Sequence, residues 1–196
     1  MSKNDYEEQI KSSQKVNQNI ASYFWTASPL YRSKKGGLHS FLRKIDVLKN
    51  FSDMELYTFS KFLHLRNYDE NEFVFKEGDR GFGFYLIYTG NVKIFTQDND
   101  GEQSFITDLE KYDFFGELSL LEQSARRSAS VVAGANTTLL ALYIPDFEEI
   151  LNSRPLIGAK ILKSLSLITT RRFFAVTNEL KRLKNKIKKY EQNQES

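Results

Sequence analysis

A glycine, an acid and an arginine in the middle of the sequence carry the groups most capable of chemistry. Gly116 and Glu117 precede a short apolar turn at 118–121, and Arg127 follows after a brief polar run. Glycine lets the backbone come close to a ligand, a carboxylate accepts hydrogen bonds from hydroxyl groups, and the free N–H groups of a helical turn can face an anion. Arg127 can add a charge-assisted, bidentate contact. This set suits a sugar phosphate; the plain structural alternative is a buried apolar turn with one salt bridge.

The same residues belong to a longer ordered string. Phe115–Leu121 followed by Arg127–Val131 resembles the phosphate-binding cassette of cyclic-nucleotide-binding domains. That family includes bacterial catabolite activator proteins and the regulatory subunits of cAMP-dependent protein kinase. Upstream, 73–81 and 84–94 resemble the first glycine-marked strands of the family. The likeness runs over about 38–190 and therefore predicts the family's fold for most of the chain.

The resemblance implies a role for each residue of the site. In the family, the cassette glutamate binds the ribose 2′-hydroxyl, the arginine neutralises the cyclic phosphate, and backbone N–H groups of the short helix complete the shell. Arg127, rather than Arg126, begins the usual order of arginine, small residue, alanine, hydroxyl residue and valine, so Arg126 is expected to face solvent. The expected ligand-binding residues are Gly116, Glu117, Leu118, Ser119, Arg127, Ser128 and Thr177.

The identity of the base stays open. Ser128 could contact the phosphate or a guanine edge, and a serine or threonine at this position occurs in both cAMP-binding and cGMP-binding members of the family. The long C-terminal helix should supply the lid over the purine, and Thr177 is the residue expected to reach it. The expected ligand is therefore cAMP or cGMP, and no other cofactor is expected.

Composition limits the classes of protein that the chain can represent. Its 196 residues suffice for one domain with extensions, and the absence of cysteine excludes disulfides and cysteine metal sites. No apolar run approaches the roughly 20 residues of a membrane span, and the N-terminus is polar and acidic, so a cytoplasmic location is expected. The net charge of +3 is too small to imply nucleic acid. The basic cluster at 181–189 is interpreted as a solvated helix exterior rather than a nucleic-acid or membrane surface.

No set of residues argues for catalysis or for a metal site. His39 and His64 fall in predicted helices without an acidic or hydroxyl partner at a telling spacing. The neighbouring pairs Glu7–Glu8 and Glu148–Glu149 point away from each other on a helix. The Asp98–Gly101 run is interpreted as a hairpin turn, because the further ligands of a calcium loop are missing. The chain is therefore not expected to be an enzyme.

The surrounding pattern divides the chain into three parts. Residues 1–36 form an N-terminal extension, 37–155 the nucleotide-binding domain, and 156–196 a long helix. Within the domain, two helices precede a series of short strand-like runs, and Ser52 is the predicted N-cap of the second helix. The family resemblance makes this an α+β fold, in which an antiparallel jelly-roll barrel is flanked by N-terminal helices and a long C-terminal helix.

The long helix has two possible packing partners. Its apolar residues recur at alternating spacings of three and four, which is typical of the seam of a two-stranded coiled coil. They are Phe173, Val176, Leu180, Leu183, Ile187 and Tyr190. A narrow stripe with a basic exterior favours a homodimer, and catabolite activator proteins dimerise through the corresponding helix. The alternative is a helix that lies on its own barrel.

The N-terminal extension contains an aromatic cluster, Tyr23–Trp25 with Tyr31, beside the break at Lys34–Gly37. Aromatic side chains are enriched at protein interfaces, so the cluster is a candidate docking element. The alternative, left equally open, is that it packs back on the barrel.

Together these observations predict a stand-alone cyclic-nucleotide sensor, bacterial and dimeric, that signals by ligand-induced conformational change. No helix-turn-helix follows the long helix before Ser196, so the expected output is an unidentified protein partner, the N-terminal segment or both. The alternative is a degenerate domain that serves as a nucleotide-independent interaction scaffold.

Overall fold

Helices flank two antiparallel sheets in the computed structural model, which describes residues 37–97, 103–122 and 125–194. The helices are α1 (Gly37–Leu42), a 3₁₀ turn (Asp46–Leu48), α2 (Asp53–Ser60), α3 (Leu118–Leu121), α4 (Ile144–Ser153) and α5 (Pro155–Gln194). The strands are β1 (His64–Tyr68), β2 (Phe73–Phe75), β3 (Gly83–Thr89), β4 (Asn91–Gln97), β5 (Gln103–Glu110), β6 (Phe114–Phe115), β7 (Ser130–Ala133) and β8 (Thr137–Tyr143). The N-terminal extension at 1–36 and the predicted hairpin turn at 98–101 lie outside the described residues.

The apolar pattern Leu38, Leu42, Ile45, Leu48 and Phe51 predicts an amphipathic helix, but the structure has α1 followed by a run of tight turns. Ile45 N donates to Leu42 O, Leu48 N to Ile45 O and Phe51 N to Leu48 O. Each bond spans three residues, as in a 3₁₀ helix, so these four apolar side chains fall on one side and all are buried. The second helix, α2, begins as predicted: Ser52 and Glu55 form a complete capping box.

Both sheets have four antiparallel strands. The strand order is β1-β8-β3-β6 in the first sheet and β2-β7-β4-β5 in the second. The prediction of antiparallel sheets with flanking helices is confirmed, but hydrogen bonds between the described strands do not close the two sheets into the expected jelly-roll barrel. His64 was predicted to be helical and to have no acidic partner at a telling sequence spacing. It opens β1 instead, and its Nε2 lies 3.0 Å from Asp146 Oδ2.

The first sheet is the middle layer of the molecule. On β3, Phe84 and Leu86 face the helices, whereas Tyr85 and Ile87 face the second sheet. All four side chains are buried, so this strand contributes to both hydrophobic cores. The arrangement fixes β3 and its partner β6, which leads directly into α3.

The long helix α5 begins packed and ends exposed. Pro155 starts it, since proline is accepted in the first helical turn, and Ile157, Ile161 and Leu165 are buried against the N-terminal helices. Farther along, Phe173, Val176, Leu180, Leu183 and Ile187 are 44% to 65% exposed, so these side chains do not pack on the chain's own sheets. Among the described residues, none of the helices combines the length and apolar composition needed to cross a bilayer.

Candidate functional site

A cavity of about 370 Å³ lies where the second sheet, the β6–α3 turn and α5 meet. It is lined by Phe75, Ile94, Thr107, Leu109, Phe114, Phe115, Gly116, Glu117, Leu118, Ser119, Arg126, Arg127, Ser128, Ala129, Val131 and Arg172. Six of the seven residues expected to bind ligand are in this lining. Thr177, the seventh, is half-buried on α5 and is not part of it.

Gly116 makes the turn between β6 and α3 possible. Its φ is +77°, in the left-handed region that favours glycine. A Cβ built on Gly116 would lie 2.6 Å from Arg127 Nη1 and 3.0 Å from Gly83 O. Glycine is therefore required twice, for the backbone conformation and for the close approach of the arginine.

Backbone hydrogen bonds set the register of the two neighbouring arginines. Arg127 N donates to Asp79 O, and Gly78 N donates to Arg127 O, both at 2.8 Å. These bonds turn the Arg127 side chain inward, where it is only 6% exposed. The Arg126 side chain is exposed, as expected, and Arg126 Nη1 donates to Gly78 O at 2.8 Å.

The buried guanidinium of Arg127 keeps unused donor capacity. Its Nη1 donates to Gly116 O (3.2 Å) and Ser119 Oγ (2.8 Å), and its Nη2 donates to Gly83 O (2.9 Å). A guanidinium has five N–H donors, and the Nε–H of Arg127 has no hydrogen-bond partner among the described residues. Burial lowers the pKa of Arg127 below its ordinary value, but arginine stays charged in proteins. A buried cation with an unsatisfied N–H is suited to receive an anion.

The acid of the site is already paired. Glu117 is 7% exposed, and its Oε1 accepts a hydrogen bond of 2.5 Å from Arg172 Nη1. Arg172 comes from α5 and also lies over the Phe114 ring, with 5.4 Å between its Cζ and the ring centroid. The Glu117–Arg172 ion pair therefore ties the cassette to the long helix.

Arg172 is the functional residue that sequence reasoning missed. It is 55 residues from Glu117, so no spacing rule could have joined the two. The only available signal was indirect, because a buried carboxylate needs a cationic partner and Arg172 is one of the few charged residues near the start of the apolar stripe on α5.

The remaining expected residues of the cavity lining differ in burial. Ser128 and Leu118 are exposed, so both are accessible to a ligand. The Ser119 side chain is buried, and its backbone N–H donates to Gly116 O at 3.3 Å. With three arginines and one glutamate, the lining has a formal charge of +2, which favours an anionic ligand. The described residues include no group of three or more side chains that could hold a metal ion.

Comparison with known proteins shows which family the sequence around the site resembles. The sequence model described as the cyclic nucleotide-binding domain matches residues 65–154. Human cGMP-dependent protein kinase 2 is 32% identical over 99 residues, which are 50% of this chain and 13% of the kinase. The cyclic AMP receptor protein of Thermus thermophilus is 34% identical over 101 residues, which are 52% of this chain and 46% of that protein. The chain thus spans less than half the length of these relatives.

Solved structures agree with this assignment. The catabolite activator protein of Thermus thermophilus superposes with a TM-score of 0.64 and 28% identity, covering 70% of this chain and 62% of the other. A cyclic nucleotide-binding domain from Methylobacillus flagellatus superposes with a TM-score of 0.62 and 26% identity, covering 70% and 76%. Residues 65–154 are therefore similar to the cyclic nucleotide-binding domain family, as the sequence resemblance predicted.

Proposed function

We propose that the cavity binds cAMP or cGMP and that the chain is a stand-alone sensor of that ligand. The observation that carries the proposal is the buried guanidinium of Arg127, a residue of the cavity lining whose Nε–H has no hydrogen-bond partner among the described residues. The family is a regulatory nucleotide-binding domain rather than a catalytic one, which supports a sensing role.

Each recognition group has a partner on a cyclic nucleotide. Arg127 donates to the phosphate oxygens through its Nε edge, a charge-assisted contact in a site shielded from water. Glu117 accepts from the ribose 2′-hydroxyl, and Ser128 lies at the mouth of the cavity, within the lining. The apolar lining residues Ile94 and Leu109 provide a surface for the base.

The ion pair of Glu117 and Arg172 is the proposed route of the signal. A ribose hydroxyl that binds Glu117 adds a contact beside Arg172, which belongs to α5. The free energy of nucleotide binding therefore depends on the position of α5 relative to Glu117. Two orientations of α5 with different ligand affinities are enough to convert binding into a conformational change. The receiver is a protein partner or the N-terminal segment.

The exposed stripe of α5 supports a homodimer. Its five described apolar residues follow the alternating three-and-four spacing of a coiled-coil seam. In a dimer, two copies of α5 would cover this stripe, and a change in the orientation of either helix would reach both sites.

Isothermal titration calorimetry of the full chain with cAMP and with cGMP tests the proposal. We expect saturable binding of at least one nucleotide, with one site per chain. The alternative, a nucleotide-independent interaction scaffold, predicts no heat of binding for either nucleotide in a folded protein.

A further inference from the structure

The Arg127 guanidinium lies over an aromatic ring. Its Cζ is 3.9 Å from the centroid of Phe75, a distance at which cation and ring attract each other. Phe75 is itself packed against Tyr85 and Phe115, with centroid distances of 6.0 and 5.8 Å. This contact leaves the Arg127 Nη groups free to donate to Gly116 O, Ser119 Oγ and Gly83 O. The ring therefore orients the cation without using its donors.

A buried hydroxyl holds one end of the same group. Ser119 is 2% exposed, and its Oγ accepts from Arg127 Nη1 at 2.8 Å. Gly81 leaves room for this hydroxyl, because a Cβ at Gly81 would lie 1.9 Å from Ser119 Oγ. The hydroxyl occupies an Nη1 donor, so the Nε–H, which has no partner among the described residues, is on a different nitrogen.

We propose that Phe75 and Ser119 are positioning residues that together hold the Arg127 guanidinium in the orientation that receives the phosphate. The ring holds the guanidinium from one side, and the hydroxyl adds to the hydrogen bonds with Gly116 O and Gly83 O that fix its rotation. The free Nε edge is then oriented before ligand arrives, so the side chain loses little rotamer freedom on binding. For its ligand this inference rests on the proposed function, but the orientation of Arg127 is a property of the free protein.

The test combines an observation on the free protein with a measurement of binding. Nuclear magnetic resonance of the full chain without ligand follows the Arg127 Nε–H signal, which the Phe75 ring current should shift and which a fixed orientation should keep sharp. We expect Phe75→Leu to remove the shift and Ser119→Ala to broaden the signal. Phe75→Tyr keeps the ring and should preserve the shift.

Calorimetry with cAMP and cGMP then measures the consequence. Loss of the stacked ring should weaken binding about threefold to tenfold, and loss of the hydroxyl that accepts from a charged donor should weaken it roughly tenfold. Phe75→Tyr should bind like the wild type. Melting temperatures identify variants that fail to fold.

Two matched controls separate positioning from general damage. Phe73→Leu removes a ring on the same strand that lies beside Lys76 and outside the cavity lining, and Ser164→Ala removes another buried hydroxyl. Neither should change the Arg127 signal or the affinity. The inference is overturned if the Arg127 signal is unchanged in both Phe75→Leu and Ser119→Ala, or if the signal is lost while affinity is unchanged. Failure of the wild type to bind either nucleotide overturns the proposed function alone, since the free-protein spectra still decide the orientation.

Discussion

At the scale of single residues, burial distinguishes two adjacent arginines. Arg127 has both backbone groups hydrogen-bonded to the loop at Gly78–Asp79 and points inward, whereas Arg126 points out to solvent. Desolvation makes the contacts of the inner arginine stronger than those of the outer one. Under the proposed function, we therefore expect these two identical side chains to have unequal effects on nucleotide binding.

Replacing Arg127 with alanine should reduce the affinity for nucleotide about tenfold to a hundredfold, because a charge-assisted contact is lost. Arg126→Ala is the matched control and should change affinity by no more than about threefold, as an exposed charge contributes little. Calorimetric titration of both variants with nucleotide measures the two affinities. Equal losses for the two substitutions would contradict the register deduced from the backbone.

Gly116→Ala should both destabilise the chain and weaken binding. An alanine in the left-handed conformation costs about 1–2 kcal/mol, and the added Cβ would press on Arg127 Nη1. The measurements are the urea midpoint and the nucleotide affinity. Ala129→Gly is the control that measures how greater flexibility of this loop alone affects nucleotide affinity. An unchanged urea midpoint for Gly116→Ala would refute the strain argument.

At the scale of elements, one ion pair anchors the start of α5 on α2. Lys160 Nζ lies 2.7 Å from both carboxylate oxygens of Glu55, and the hydrogen bond from Lys160 lowers the pKa of Glu55 below its ordinary value of 4.5. A lowered folded-state pKa means that the stabilisation is complete above the unfolded pKa and is lost as pH falls through the folded one.

Glu55→Gln removes this charge and keeps an oxygen for the capping box with Ser52. Because the pair is partly exposed, we expect a loss of about 0.3–1 kcal/mol at neutral pH. The difference between variant and wild type should shrink as pH falls below 4.5. Urea unfolding across this range measures it, and a difference that persists undiminished at pH 2 would exclude the ion pair as its source.

The exposed half of α5 supplies a second prediction about an element. Leu180→Glu with Leu183→Glu should convert a dimer into a monomer, because each charge would be buried without a partner in the seam. Sedimentation velocity at micromolar concentration is the measurement. Asn178→Glu, an exposed position outside the apolar stripe, should leave the dimer intact. A monomeric wild type would remove the dimer from the proposed function.

At the scale of the whole molecule, features set by neighbouring residues could be predicted from the sequence, whereas contacts between distant segments could not. The capping box at Ser52 and the antiparallel strands follow from short-range sequence patterns, and the cassette follows from the family resemblance. The segment after α1 was predicted to be an α-helix but forms 3₁₀ turns. In a short segment, apolar residues three positions apart fit both kinds of helix. Arg172 and Phe75 could not be assigned, because their contacts with Glu117 and Arg127 are formed only when distant segments pack.

The aromatic cluster of the N-terminal extension lies outside the described residues, so its role stays a prediction for the whole chain. Deleting residues 1–36 should leave nucleotide affinity within about twofold, a change of under 0.5 kcal/mol, because every lining residue of the cavity lies beyond the deletion. Differential scanning calorimetry then separates the two roles. A lowered melting temperature indicates packing on the body, and an unchanged one favours docking to a partner.

The site is assembled from segments that are far apart in the chain. Arg127 reaches Gly83 across 44 residues, and Arg172 reaches Glu117 across 55. Contacts with such separations carry a large loop-closure cost, and they form late in folding. A nucleotide that needs the completed site can therefore do little for the folding transition state. Saturating ligand should slow the unfolding limb of a chevron plot and leave the folding limb nearly unchanged, so a bound sensor would be protected chiefly by its slow rate of unfolding.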